Sequence, residues 1–178
     1  MPPERDLIRG CKRRHPPSQE ALYRRYWSFA MSVALRYSPS RDDALETCHD
    51  AFVKAFENID SMDEARPFKP WFRRILVHCA IDRHRSTRRY HATIEPEAEP
   101  PEAPVDADAL ADLQAEEILA LFAELSDAQR DVFNLYEIEG YSHEEIADLL
   151  GMAVGTSRSH LTRARKRLQT LYLQHASS

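Results

Sequence analysis

The sequence predicts an all-α protein made of two small helical domains. Three observations support this. The 178 residues include only 4 Gly, and they contain neither strand-like alternation nor hairpin dipeptides. Apolar residues recur at helical spacing in several separate stretches. A Pro-rich acidic segment then interrupts the pattern near the middle of the chain. We therefore predict one domain over residues 1–91, a linker over 92–108 and a second domain over 109–178.

The first domain is predicted to hold four helices. A short helix covers Asp6–Arg14 and ends before Pro16, because a residue that precedes proline is disfavoured in a helix. Longer helices follow at Ser18–Tyr37, Arg41–Ile59 and Phe68–Arg89, and each has one apolar face. The polar segment between the last two is predicted to be a loop. About ninety residues are enough for an independent helical core.

The last of these helices carries two aromatic residues of uncertain role. Trp71 falls on one line with Ile75 and Cys79, which favours a place in the core. The alternative is that Trp71 and Phe72 stack on unpaired bases, because the same helix is strongly basic. Both interpretations stay open at the level of sequence, with the core favoured for Trp71.

The linker is the most acidic part of the chain. The net charge is −5, yet residues 1–91 carry 18 Lys and Arg against 12 Asp and Glu, and residues 92–125 carry none against 10. Such a Pro-rich acidic segment cannot bury enough apolar surface to fold, so we predict an extended flexible linker. It could compete with DNA for the basic surfaces or act as a plain spacer. The overall negative charge therefore does not argue against nucleic-acid binding.

The second domain is predicted to end in a helix-turn-helix. A first helix precedes Leu125, and Ser126 with Gln129 forms a capping box for the next, which ends at Gly140. Over Tyr141–Leu173, Ser142 and Glu145 cap a short helix, Gly151 breaks it, and Thr156 caps a basic second helix. In a helix-turn-helix the second helix enters the DNA major groove. The alternative is an ordinary helical hairpin with a solvated basic face.

These motifs resemble the extracytoplasmic-function (ECF) family of RNA polymerase sigma factors. LSDAQRDVFNLYEIEGYSHEEIADLLGMAVGTSRSHLTRARKRL is similar throughout to region 4 of that family. RDDALETCHDAFVKAFENI and FKPWFRRILVHCAIDRHRSTRR resemble two helices of region 2. Helix-turn-helix regulators share the first of these patterns but not the other two. The resemblance implies a transcription initiation factor that binds core RNA polymerase and promoter DNA.

The resemblance also implies roles for individual residues. The helix Arg41–Ile59 would meet the basic β′ clamp helices of the polymerase, and the second domain would meet the β flap. The residues expected to bind polymerase are Asp42, Asp43, Glu46, His49, Asp50 and Lys54. Those expected at the −10 element and in melting are Asn58, Asp60, Ser61, Lys69, Trp71, Phe72, Arg73, Arg74, Arg83 and Arg85. Those expected at the −35 element are Thr156, Arg158, Ser159, His160, Arg163, Arg165, Lys166 and Arg167.

The sequence departs from the family pattern at four positions. Thr47 stands where Leu is usual, and His49 where Gln is usual. His78 replaces a common Asn in the basic helix. Ser157 replaces a common Val in the first turn of the recognition helix, which is expected to reduce burial there.

Two adjacent pairs, Cys48–His49 and His78–Cys79, are candidates for metal binding or redox sensing. Adjacent helical residues point to different faces, and no CxxC spacing exists, so we expect no metal ion and no cofactor. Widely spaced cysteines indicate reduced thiols in a cytoplasmic protein. The sequence shows no membrane span, no signal peptide and no catalytic motif, so we expect no enzyme activity.

A cognate anti-sigma factor is expected as a further partner, and it could hold the chain at the inner membrane face. Two other functions remain open at this stage. One is a DNA-binding regulator that uses only the helix-turn-helix. The other is a decoy that sequesters an anti-sigma factor, although a decoy does not need a basic recognition helix. Run-off transcription with core polymerase separates the three.

Overall fold

The computed structural model describes residues 2–94 and 113–175 and divides the chain into two compact units, Met1–Ile94 and Glu95–Ser178. Regular structure in the described residues is entirely helical, so the all-α prediction is confirmed. The α-helices are α1 (Glu4–Lys12), α2 (Pro16–Tyr37), α3 (Arg41–Glu57), α4 (Phe68–Ile94), α5 (Leu113–Ala123), α6 (Asp127–Phe133), α7 (His143–Leu150) and α8 (Val154–His175). A 3₁₀ turn covers Ile59–Ser61, and a π-helical turn covers Asn134–Ile138.

The largest difference from the predicted boundaries is at the end of α4. This helix continues to Ile94, so the first residues of the predicted linker are helical. The rest of the predicted linker, with its acidic side chains, lies outside the described residues.

Helices α2, α3 and α4 pack around an aromatic core. The Phe52 ring lies 4.6 Å from the Phe72 ring, and Phe72 lies 5.2 Å from Phe68, measured between ring centroids. Tyr26 of α2 completes the cluster, 4.8 Å from Phe68. Rings at these separations add to the stabilisation that burial alone provides. This cluster fixes α4, the basic helix of the unit, against α3, the acidic one.

The buried face of α4 differs by one residue from the predicted one. Phe72 and Leu76 are fully buried, whereas Trp71 and Ile75 are only half-buried. The face starts from Phe68, whose side chain is fully buried, and continues at the i, i+4 and i+8 positions. The core role predicted for Trp71 therefore belongs mainly to Phe72.

Two capping boxes organise the second unit, as the sequence predicts. The Ser142 hydroxyl accepts a hydrogen bond from the Glu145 amide at 3.2 Å, and the Glu145 carboxylate accepts one from the Ser142 amide at 2.8 Å. These bonds favour the ionised carboxylate and lower the pKa of Glu145. Ser126 and Gln129 form the same motif at the start of α6. Gly151 ends α7 with a left-handed φ of 67°.

The prediction that Thr156 caps the recognition helix is wrong. Helix α8 begins at Val154, and the amides of Thr156 and Ser157 both donate to the carbonyl of Ala153. Thr156 therefore lies inside the first turn. Leu161, Ala164 and Leu171 form the buried stripe of α8, and Leu168 on the same side is half-buried.

No helix among the described residues is long and apolar enough to cross a membrane.

Candidate functional site

All six residues predicted to bind polymerase lie on α3. Asp42, Glu46, His49, Asp50 and Lys54 are exposed, and Asp43 is half-buried. Their helical spacing places three carboxylates, those of Asp43, Glu46 and Asp50, on the side of α3 that borders α4. The result is an acidic surface of the kind predicted from the sequence.

Arg83 of α4 lies against that acidic surface. Its guanidinium pairs with Glu46, lies 3.6 Å from Asp43 and approaches Asp50 at 4.0 Å. The sequence predicts Arg83 to be a DNA contact, yet the structure brings it together with residues predicted to bind polymerase. One cation on α4 thus offsets part of the repulsion among three neighbouring carboxylates of α3.

The cysteines occupy neutral, buried positions. Burial raises the pKa of Cys11 to about 11 and that of Cys48 to about 12. Burial also raises the pKa of Cys79, although the neighbouring Lys54 opposes this shift. A buried thiol with a raised pKa is a poor nucleophile and a poor redox sensor. Within the described parts of the chain, no three His, Cys, Asp or Glu side chains converge in a way that could hold a metal ion.

The segment 58–67, predicted to read a −10 base, already uses several of its polar groups internally. The Asn58 amide nitrogen donates to the Lys54 carbonyl at 2.8 Å, and the Ser61 hydroxyl donates to the Asn58 carbonyl at 2.7 Å. The carboxylate of Asp63 accepts from the Ala65 amide at 2.9 Å. Asn58, Asp60 and Ser61 are nevertheless exposed. The segment is therefore an ordered turn whose polar side chains, including those of Asn58, Asp60 and Ser61, remain exposed to solvent.

Helix α1 and the residues just after it contribute contacts that the sequence did not single out. Arg14 lies 3.0 Å from the Asp60 carboxylate, and Lys12 donates to the Met62 carbonyl at 2.8 Å. Glu64 lies within 3.6 Å of both Arg9 and Lys12. The basic run at the end of α1 was the only sequence signal, and it does not reveal its partners some fifty residues away.

The residues predicted on α4 for melting divide into buried and accessible groups. Phe72 has no exposed surface, so the expectation that its ring stacks on a base is contradicted. Trp71 keeps an accessible part and packs 5.6 Å from Phe68. Lys69 lies over the Phe29 ring at 4.7 Å. Arg73 is half-buried and Arg74 exposed, and the side chain of Arg85 lies outside the described part of the chain.

The recognition helix α8 presents most of its predicted residues to solvent. Thr156, Arg158, Ser159 and Arg163 are exposed, and His160 is half-buried. A shallow groove runs between Arg158, Ser159, Thr162 and Arg163. This groove follows the first two turns, which in a helix-turn-helix lie closest to the base edges.

The basic residues of α8 differ in their partners. Arg158 lies 3.6 Å from Glu144, Arg167 lies 3.0 Å from Glu124, and Arg165 pairs with Glu137. Among the described residues, Arg163 and Lys166 make no ion pair. These two therefore keep their charge available for another molecule.

Ser157 is fully buried in the first turn of α8. A polar contact there takes the place of the apolar contacts that a valine would make. The Ser157 hydroxyl lies 2.9 Å from the Nδ1 atom of His143 at the start of α7. The His143 ring stacks on Tyr136 at 4.5 Å between centroids. A polar contact thus links the two helices of the helix-turn-helix where the family usually has a valine. The sequence flagged Ser157 but not its partner.

Comparison with known proteins assigns a family region to each of the two units. Residues 22–90 match the model for Sigma-70 region 2, and residues 115–168 match that for Sigma-70 region 4. The ECF RNA polymerase sigma factor SigE of Mycolicibacterium smegmatis is 29% identical over 170 residues, covering 90% of this chain. The chain spans 64% of that relative's length, which is less than two thirds.

A second relative and a solved structure agree. The ECF RNA polymerase sigma-E factor of Escherichia coli strain K12 is 31% identical over 153 residues, and the match covers 80% of each protein. The structure of the sigma factor RpoE from Bartonella quintana, solved with the anti-sigma factor NepR, is 27% identical, with a TM-score of 0.52. The match covers 86% of this chain and 95% of the RpoE chain. The chain belongs to the ECF family of RNA polymerase sigma factors.

Proposed function

We propose that this protein binds core RNA polymerase, recognises the −10 and −35 promoter elements and directs transcription initiation. The observation that carries the proposal is the combination of one acidic and two basic helices in one chain. An acidic helix, α3, stands beside a basic one in the first unit, and the second unit holds a basic recognition helix. A sigma factor is an initiation factor and not an enzyme, so the chain would supply binding energy and leave catalysis to the polymerase.

Helix α3 is the proposed contact for the β′ clamp helices. Its exposed carboxylates, Asp42, Glu46 and Asp50, suit a basic partner surface. Such complementarity mainly sets the orientation and rate of docking. Val53 is an exposed apolar residue on the same helix and offers an apolar contact near the carboxylates. The β flap is proposed to meet the second unit.

The −10 element is proposed to be held by the 58–67 segment and the start of α4. Base unpairing requires new partners for the exposed base faces and for the backbone. Asn58, Asp60 and Ser61 provide hydrogen-bonding groups, and Trp71 provides the accessible aromatic surface. Phosphate contacts are assigned to the cationic side chains of this region, which are Lys69, Arg73 and Arg74, with Arg85 by resemblance.

The −35 element is proposed to bind the early turns of α8. Arg163 is unpaired among the described residues and lines the groove, and an arginine can bind a guanine edge with two hydrogen bonds. Arg165, Lys166 and Arg167 lie further along the helix and are assigned to phosphates, which fix position but carry no sequence information. Arg165 and Arg167 would exchange their glutamate partners for phosphate.

An anti-sigma factor is proposed as the regulatory partner. The support is the family and the related RpoE, which was solved with the anti-sigma factor NepR. The acidic linker is proposed to compete with DNA for the basic surfaces, on the strength of its charge alone. Neutralising its carboxylates should then increase promoter binding without polymerase at low salt.

Run-off transcription with core polymerase tests the main proposal. The full-length chain is expected to initiate from a subset of genomic fragments. Asp50→Lys is expected to reduce initiation by weakening polymerase binding, whereas the wild-type affinity for isolated −35 DNA should persist. A matched control is Asp148→Lys, which changes an exposed acid of α7 outside the α3 surface. Failure to initiate from any fragment would contradict the proposal.

The two other functions give different outcomes in the same assay. A helix-turn-helix regulator would bind promoter DNA equally well without polymerase and would not respond to Asp50→Lys. A decoy would bind an anti-sigma factor but would show no sequence preference for DNA.

A further inference from the structure

The end of α1 contacts the 58–67 segment at both ends of its 3₁₀ turn. The Arg14 guanidinium donates to the Phe56 carbonyl, before the turn, and to the carboxylate of Asp60, within it. After it, the Lys12 ammonium donates to the Met62 carbonyl and lies 3.5 Å from the Glu64 carboxylate. Two backbone carbonyls that bracket Ile59–Ser61 are thus bound by side chains at the C-terminal end of α1 and just beyond it.

Arg14 occupies a backbone position that normally belongs to glycine. Its φ is 57°, and it is the only non-glycine residue with positive φ in the described part of the chain. The Arg14 amide donates to the Cys11 carbonyl at 2.9 Å, and the His15 amide donates to the Gly10 carbonyl at 3.0 Å. This pattern is a Schellman motif, in which the left-handed residue is usually glycine because a side chain there is strained.

An arginine at this position therefore makes side-chain contacts that a glycine cannot make. The strain would be relieved by glycine, but the bonds to Phe56 and Asp60 would be lost with the side chain. Strained residues that the surrounding structure holds in place are typical of functional regions. Here the strained residue touches the segment that carries Asn58, Asp60 and Ser61.

We infer that Arg14 and Lys12 are positioning residues for −10 recognition. They hold the Ile59–Ser61 turn against the bundle, so that its exposed side chains meet an unpaired base in a fixed geometry. Neither residue needs to touch DNA. The inference deepens the proposed function and rests on it, because it assigns a cause to the geometry of the same site.

The decisive variant is Arg14→Gly, assayed as the full chain with core polymerase. Glycine suits the φ of 57°, so the variant should fold with an unfolding temperature no lower than that of the wild type. Promoter opening is measured with a fluorescent base analogue on the preferred −10 element and on singly substituted elements. Discrimination between them is expected to fall roughly tenfold, since small misplacements of a contact are costly.

Arg13→Gln is the matched control. Arg13 is exposed, directly precedes Arg14, makes no ion pair among the described residues, and its replacement removes the same charge. It should leave discrimination unchanged. Lys12→Gln removes the second anchor and should reduce discrimination in the same direction as Arg14→Gly.

Hydrogen exchange of the free chain gives a readout independent of DNA. The amides of Ser61 and Met62, which close the turn, should exchange faster in Arg14→Gly than in the wild type and in Arg13→Gln. Opening by the wild type together with unchanged discrimination in Arg14→Gly would overturn this inference alone, as would unchanged exchange. If the wild type opens no promoter, the proposed function fails and the −10 role fails with it.

Discussion

The two units present their proposed DNA-binding residues in different ways. In the second unit these residues lie on one helix, α8, whose regular geometry sets their spacing. In the first unit they lie on a short turn and along α4, and their positions depend on contacts with α3, with α1 and with Arg14 just after α1. A recognition helix is thus specified largely by local sequence, whereas a recognition turn needs support from distant parts of the chain.

The cores of the two units differ in a parallel way. The first is built from large rings on α2, α3 and α4, including Phe52 and Phe72. The second has a smaller apolar cluster, with Phe122 and Leu125 against Ala164, and it also buries polar residues such as Asn134. The first unit therefore gains more from ring packing than the second does.

The largest expected effect tests the dependence of the first unit on its rings. Phe72→Ala should lower the free energy of unfolding by about 3–5 kcal/mol, because it removes a fully buried ring and leaves a cavity. Trp71→Ala is the control and should cost much less, since that side chain is only half-buried. Urea denaturation followed by circular dichroism measures both. A larger loss of stability for Trp71→Ala than for Phe72→Ala would instead support the buried face predicted from the sequence, which contains Trp71.

The next effect concerns the recognition helix. Arg163→Ala should weaken −35 binding by about 1–3 kcal/mol, with unequal losses across promoter variants, if the side chain reads a base edge. Lys166→Ala should cause a smaller loss that is the same for all sequences. Fluorescence anisotropy with a set of −35 duplexes measures the pattern. An equal loss on every duplex for Arg163→Ala would make it a phosphate contact.

Replacing Arg83 should change polymerase binding by a smaller amount, and the direction of the change is informative. Arg83→Gln removes the cation that pairs with Asp43 and Glu46, so these carboxylates become available to a basic partner. We expect binding to core polymerase to tighten by roughly two- to fivefold, a size typical of exposed ion pairs. Promoter opening should weaken if Arg83 also serves DNA.

Arg74→Gln is the control for that experiment. It makes the same change of charge on the same helix, at an exposed residue without an acidic partner among the described residues. Polymerase affinity should not change. Weaker polymerase binding by Arg83→Gln would show instead that the ion pairs are needed to hold α3 in position.

The smallest effects compare two buried hydroxyls, one in each unit. Thr47 is 1% exposed, and its hydroxyl has no hydrogen-bond partner among the described residues. Thr47→Val should therefore raise the free energy of unfolding by about 1 kcal/mol. Ser157→Ala should lower it by about 0.5–1.5 kcal/mol, because His143 loses its partner.

Thermal unfolding measures both changes, with Ser159→Ala as the control. Ser159 is an exposed serine two residues away whose hydroxyl bonds only within its own helix, to Gly155. Its replacement should have almost no effect. If Thr47→Val and Ser157→Ala shift stability in the same direction, the hydrogen bond to His143 does not distinguish the two sites.

Local sequence signals predicted much of this protein. Helical periodicity, the two capping boxes and the break at Gly151 depend on residues within a few positions of each other. For the same reason the sequence located the acidic surface of α3 and the basic surface of α8. It placed the start of α8 incorrectly because Thr156 has the chemistry of a cap, while the Ala153 carbonyl accepts the bonds that define the first turn.

Only the tertiary structure decided which ring of α4 is buried, which carboxylates pair with Arg83 and what supports the 58–67 turn. Each of these depends on residues far apart in sequence that meet because helices pack at particular angles and depths. Residue spacing in the sequence defines the buried face of a helix only to within about one residue. Trp71 and Phe72 are adjacent, so spacing alone does not decide which of them is buried. The sequence by itself indicated the helices and the family, because both depend on short-range patterns, and packing decided which distant side chains meet around the 58–67 segment.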